Sequence, residues 1–223
     1  MDERVSCSDR FLTPEEIERK SFRILEELLG DFAAPPNERE VVKRIAHATT
    51  DVEWAKTFFF SEGAVDAGVA GIRRGVSVVT DVEMVRTGIR TPSSGGSRVF
   101  CFLNDPDVVE RARGEKTTRA RVAIRKALSL FGDAIVAIGN APTALFEVCD
   151  LVRSRACRPT LVVGVPIGFV GAAESHRELL SLDCPRITHE GPKGGSPAAA
   201  AIVNAIVRDR KSTRLNSSHT DIS

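Results

Sequence analysis

Between Asp133 and Ser175 the chain twice builds the same unit: a short apolar run, a glycine, a small or polar turn, and a helical pattern. Ala134–Ile138 closes on Gly139 and passes through Asn140, Ala141, Pro142 and Thr143. Leu161–Val163 closes on Gly164 and passes through Pro166, Ile167, Gly168, Phe169, Val170 and Gly171. Runs that are apolar at every position have no solvent face, so they belong in a parallel sheet covered by helices on both sides. In such sheets the turns leaving the carboxyl ends of the strands form the ligand-binding edge. Glycines that only tighten turns explain one per connection. They explain poorly Asn-Ala-Pro-Thr and Gly-Phe-Val-Gly at successive strand ends.

The alternation extends along the chain. Thr13-Pro14-Glu15-Glu16 predicts a helix start, with a Thr cap, Pro in the first position and a capping-box Glu; Gly30 stops the helix. Pro35-Pro36 breaks the chain, and Asn37 is expected to cap a long helix over about 38–59. Its Val41, Ile45, Ala48, Val52, Ala55 and Phe59 form one apolar stripe. His47, Trp54 and Phe58 lie on a second face, and Asp51 follows His47 by one helical turn, within hydrogen-bonding reach of the imidazole. A helix over 61–74, a strand at 76–80, a short helix over 82–87 capped by Asp81, a polar loop over 88–96 and a strand at 98–103 come next. Asp105-Pro106 opens a basic helical region interrupted at Gly114; it carries Arg111, Arg113, Arg119, Arg121, Arg125 and Lys126. Helices over 142–153 and 172–182 and strands at 160–164 and 186–189 complete the pattern. The loop 190–197 then delivers Lys193, Gly194, Gly195 and Ser196 to the last helix, 198–210, offering backbone donors and a helix dipole to an anion. These elements predict a three-layer α/β/α domain on a mainly parallel five-stranded sheet.

Composition narrows the function classes. At 223 residues, 42% hydrophobic and 27% charged, the chain suits one domain with a substantial core. That domain spans 1–210, with 1–13 expected to be disordered and the polar, non-periodic 211–223 a tail foreign to it. A net charge of +1 supplies no global field for nucleic acid or a membrane. Five cysteines without a CxxC pair suit neither a disulfide framework nor a zinc site. No apolar run is long enough to span a bilayer and no signal peptide is visible, so the expected location is cytoplasmic. GxGxxG, GxSxG and HExxH are absent, which argues against nicotinamide chemistry, nucleophile-elbow hydrolysis and zinc hydrolysis.

GNAPTALF at 139–146, VPIGFVGAAES at 165–175 and KGGSPAAAAIVNA at 193–205 resemble, in order and spacing, the precorrin-8X methylmutase family of cobalamin biosynthesis. The resemblance extends from about Ser21 to about Val207. It implies a flavodoxin-like sheet and an isomerase that moves a methyl group from C-11 to C-12 of the precorrin-8X macrocycle. The product would be hydrogenobyrinate, or cobyrinate from the cobalt form. It further implies a homodimer, no added cofactor, no protein-held metal, and hand-over of the tetrapyrrole to neighbouring pathway enzymes. Such a rearrangement needs no nucleophile; it needs the ring held in its reactive shape and an acid. Arg44-Ile45-Ala46-His47-Ala48 matches the family's catalytic histidine motif, so His47 is the implied general acid, with His176 and His189 weaker candidates. By the same carry-over Ser21, Arg119, Asn140, Thr143, Gly168, Phe169, Lys193, Gly194, Gly195 and Ser196 would bind substrate, with Phe169 and Val170 meeting the macrocycle face. Trp54 and Phe58 would lie near the dimer interface or the pocket. Thr50, where the family often has glycine, and His189-Glu190, where it is more basic, are departures. The alternative is a non-catalytic carrier of a corrinoid intermediate, which would not need His47.

Overall fold

The structure, a computed structural model, describes residues 12–90 and 96–217. In chain order the elements are α1 (Pro14–Leu29), α2 (Pro36–Thr49), α3 (Val52–Ala55), β1 (Phe59–Phe60), α4 (Ala64–Arg74), β2 (Val78–Thr80), α5 (Glu83–Gly88) and β3 (Val99–Cys101). They continue with α6 (Pro106–Gly114), α7 (Arg119–Leu130), β4 (Ile135–Ile138), α8 (Pro142–Arg153), β5 (Leu161–Gly164), α9 (Ala172–Leu180), β6 (Arg186–Thr188) and α10 (Ser196–Ser217).

The sheet has six strands in the order β1-β6-β5-β4-β2-β3. Every pairing is parallel except that of β1 with β6. With β1 set aside and the parallel strands numbered in chain order, the arrangement is 2-1-3-4-5, the flavodoxin-like order. The order reverses between β2 and β4, where Thr80 lies opposite Ala137.

β4 and the Leu161–Val163 run of β5 are apolar at every position because the sheet is covered on both faces. Along β4, Ile135 and Ala137 join the core under α2, α4 and α10, while Val136 and Ile138 join the core under α7, α8 and α9. β5 divides likewise, with Leu161 and Val163 on the first side and Val162 on the second. The glycines closing these strands are packing residues. A Cβ on Gly139 would stand 2.7 Å from Val85 and 2.9 Å from the Ser196 backbone, and one on Gly164 would stand 2.4 Å from Leu179.

Several local expectations are met. The Thr13 hydroxyl accepts from the Glu16 amide at 3.3 Å, and the Glu16 carboxylate accepts from the Thr13 amide at 2.8 Å, closing the capping box. The basic region breaks after Gly114, and α8 runs over Pro142–Arg153 as the sequence predicts.

Others are corrected. The long helix expected over 38–59 ends at Thr49, because Thr50 adopts a left-handed conformation (φ 56°, ψ 24°) and caps α2 through its own amide. Asp51 then starts α3, its carboxylate accepting from the Trp54 amide at 2.9 Å. Phe59 and Phe60 become a sixth strand, too short to show alternation. Trp54 and Phe58 form no outward face; they are buried in the chain's own core, their rings 5.0 and 5.2 Å from that of His189. Asn37 lies inside α2, where the cap position is Pro35, and Asp81 leaves the cap of α5 to Val82. The backbone of α10 continues past Arg210 to Ser217, through the first half of the segment set apart by composition. Residues 1–11, 91–95 and 218–223, on which parts of the terminal and loop expectations fall, lie outside the described residues.

Candidate functional site at the carboxyl edge of the sheet

β2, β4, β5 and β6 release their chains at one edge of the sheet. Asp81, one residue past β2, is fully buried there. Its Oδ1 accepts from the Gly139 amide at 3.0 Å, and its Oδ2 accepts from the amides of Asn140 at 2.8 Å and Ala141 at 2.7 Å. Burial pushes this carboxyl up from its ordinary value, and the three amide donors pull against that shift. The turn leaves the Asn140 side chain exposed. Thr143 follows in the first turn of α8, its hydroxyl 2.7 Å from that of Thr118, and Arg119 reaches Asn104 at 3.2 Å.

The β5 and β6 turns hold each other. The Gly195 amide donates to Val165 O at 2.9 Å, and the Gly168 amide donates to Pro192 O at 3.2 Å. Gly194 is obligatory, because a Cβ there would sit 2.2 Å from Pro166 O. Beneath the loop the His189 ring bonds the carbonyls of Glu190 and Lys193, and His176 Nδ1 bonds Gly191 O at 2.8 Å. Both histidines are fully buried, so neither can present an acid to a ligand. The Lys193 ammonium pairs with Asp51 at 2.7 Å and, together with the Trp54 amide, holds that carboxyl below its ordinary value. Asp51 is thus committed to Lys193 and Trp54; the expected bond from Asp51 to His47 is not formed.

His47 lies in the last turn of α2, exposed, stacked on Phe22 with ring centroids 5.1 Å apart. It lines a cleft of about 950 Å³ between α1, α2, α10 and the 88–90 segment. Ile17, Ala48, Pro197, Ala200 and Val207 give that cleft apolar walls, and Arg44, Arg90 and Arg208 give it cationic groups against one carboxylate among the described residues, Glu18. Glu18 accepts from Arg44 at 3.1 Å and from Arg208 at 2.8 Å, and these bonds hold its carboxyl below the ordinary value. Asn204 fixes the 88–90 segment, donating to Gly88 O at 2.8 Å and accepting from the Arg90 amide at 2.7 Å.

Of the site residues expected from sequence, His47 alone lines this cleft. Ser196 adjoins it through Pro197 and abuts Gly139, which brings the Asn140 turn alongside. Lys193 and Gly194 continue the same rim. Ser21 is half-buried on α1 beside Phe22 and does not line the cleft, while Phe169 and Val170 project fully into solvent from the β5–α9 loop. Arg44, Arg90, Arg208, Asn204 and Asp81 were missed. Arg44 and Asn204 lie within the motifs already singled out; Arg90 and Arg208 carry no local signal, because only the fold brings them to His47.

An apolar-walled, cation-rimmed cleft beside a histidine suits a flat, carboxylate-bearing ligand. Comparison with known proteins gives that chemistry a family. The precorrin-8X methylmutase family model matches residues 16–209. The cobalt-precorrin-8 methylmutase of Methanocaldococcus jannaschii is 43% identical over 192 residues, covering 85% of this chain and 89% of the relative. The precorrin-8X methylmutase of Pseudomonas aeruginosa is 36% identical, covering 87% and 95%. The solved precorrin-8X methylmutase of Thermus thermophilus superposes with a TM-score of 0.82 at 38% identity, covering 89% of this chain and 97% of that one. Matched from α1 to α10 in sequence and in fold, the chain belongs to the precorrin-8X methylmutase family.

Proposed function

We propose that the protein isomerises precorrin-8X, or its cobalt form, by moving the methyl group at C-11 to C-12, with His47 as general acid. The single observation that carries this reading is the exposed His47 imidazole in a cleft of about 950 Å³ with apolar walls and three arginines. The apolar walls take the macrocycle, and the arginines take its carboxylates. The shift is intramolecular: one carbon–carbon bond breaks as another forms, and no group leaves. The protein's part is to hold the ring in the reactive shape and to supply and recover the proton that accompanies the redistribution of π electrons. Ser196 and the Asn140 turn lie beside the cleft, and Thr143, Arg119 and Lys193 lie farther along the same carboxyl edge of the sheet, where their donors suit further carboxylates. Lys193 reaches a ligand only by leaving Asp51.

Phe169 and Val170, exposed beside this rim, support assembly as a homodimer that covers them. Sedimentation at micromolar concentration tests it, and a monomer counts against it. The function itself is tested by incubating the purified protein with metal-free and with cobalt-bearing precursor and following the absorption spectrum. Conversion of either supports the reading. Tight uptake of both without spectral conversion supports a carrier instead.

A further inference from the structure

In a flavodoxin-like sheet the crevice for an anionic ligand opens at the point where the strand order reverses, and backbone amides leading into a helix form its cradle. Here that point lies between β2 and β4, and the three consecutive amides of Gly139, Asn140 and Ala141 lead into α8. The cradle is already filled, and from inside: both oxygens of the fully buried Asp81 accept from it. The position beside it is closed too, since Gly139 abuts Val85, the Ser196 backbone and Ala199.

We infer that Asp81 is the resident anion of the switch-point cradle and a positioning residue for the site. It closes the crevice to ligand carboxylates and turns Asn140 so that only its side-chain amide faces outward. Substrate carboxylates are thereby directed to the arginines of the His47 cleft and to the side chains of the rim. The positioning half of the inference rests on the reading of Asn140 as a substrate contact; the filled cradle does not.

Two measurements separate these halves. Asp81→Ala empties the cradle, and formate is the probe. The variant should melt below the wild type and regain stability saturably with sodium formate, while sodium chloride at equal ionic strength does not restore it and the wild type shows no such gain. A variant that formate stabilises no better than chloride overturns the resident anion. If Asp81→Ala does not fold, Asp81→Gly with formate present during refolding serves the same test. For positioning, Asp81→Asn keeps the shape but turns an N–H donor toward the amides, and should lower kcat/KM tenfold to about a hundredfold, the scale of a small misplacement. In an Asn140→Ala background that loss should largely vanish, because both changes act through one amide. Asp81→Asn turning over like the wild type overturns the positioning role. If Asn140→Ala is itself silent, the substrate reading at Asn140 fails along with that role, while the formate result stands unaffected.

Discussion

The buried pair His176 and His189, with rings 4.5 Å apart, shows how single side chains set the pH range of this edge. His176 Nδ1 donates to Gly191 O, and its Nε2 has no hydrogen-bonding partner among the described residues, so the ring is held neutral. Burial, and then the neighbouring His189, push His176 down to about 4. In the unfolded chain the same imidazole titrates near about 6.5. The unfolded state therefore binds the extra proton first on acidification. The contribution is fully present above about 6.5 and is lost as the pH falls through about 4, a swing on the order of 3 kcal/mol. His176→Asn keeps a donor for Gly191 O and removes the titration. It should melt lower than the wild type at neutral pH yet lose less between pH 7 and 4.5. Equal slopes for the two proteins would assign the acid lability elsewhere.

Among the elements, the break after α2 carries the clearest cost. Thr50 is β-branched and held at φ 56°, a conformation in which a side chain is strained and glycine is not. Thr50→Gly should stabilise the protein by about 1 kcal/mol, raising the melting temperature by about 2–4 °C. A lower melting temperature would mean that the Thr50 side chain carries a packing role. The same break marks the limit of what sequence patterns reveal. β4 and β5 were legible because their runs are apolar on both faces, and Thr13, Gly114 and Pro142 announced their helix boundaries by local chemistry. The left-handed Thr50 announces nothing: Val41 to Phe59 keeps helical spacing across a boundary that tertiary packing imposes. β1 was hidden because two residues cannot alternate. Along the basic α7, Arg121 and Arg125 both bond Glu147 of α8, and Lys126 bonds Asp105 and Asp107. Those acids lie in other elements, so their claim on the arginines was invisible along α7.

For the whole molecule, Val207 is the last buried residue among those whose side chains are described, and the family match ends at residue 209. Truncation after Arg210 should leave the melting temperature within about 2 °C of the full chain. A loss of several degrees would place the last turns of α10 within the domain. The central claim remains the proton carried by His47. His47 was singled out from its short motif, but its setting was not legible there, since Arg44, Arg90 and Arg208 come from three distant segments and Asp51 belongs to Lys193. The most direct measurement is single-turnover conversion of precursor by His47→Ala and His47→Asn, with ligand uptake followed by absorption. The account predicts that both variants still take up the coloured ligand and convert it about a hundredfold or more slowly, the scale of a positioned proton transfer. Conversion at the wild-type rate would contradict it, leaving ring distortion in the cleft to drive the shift without this acid.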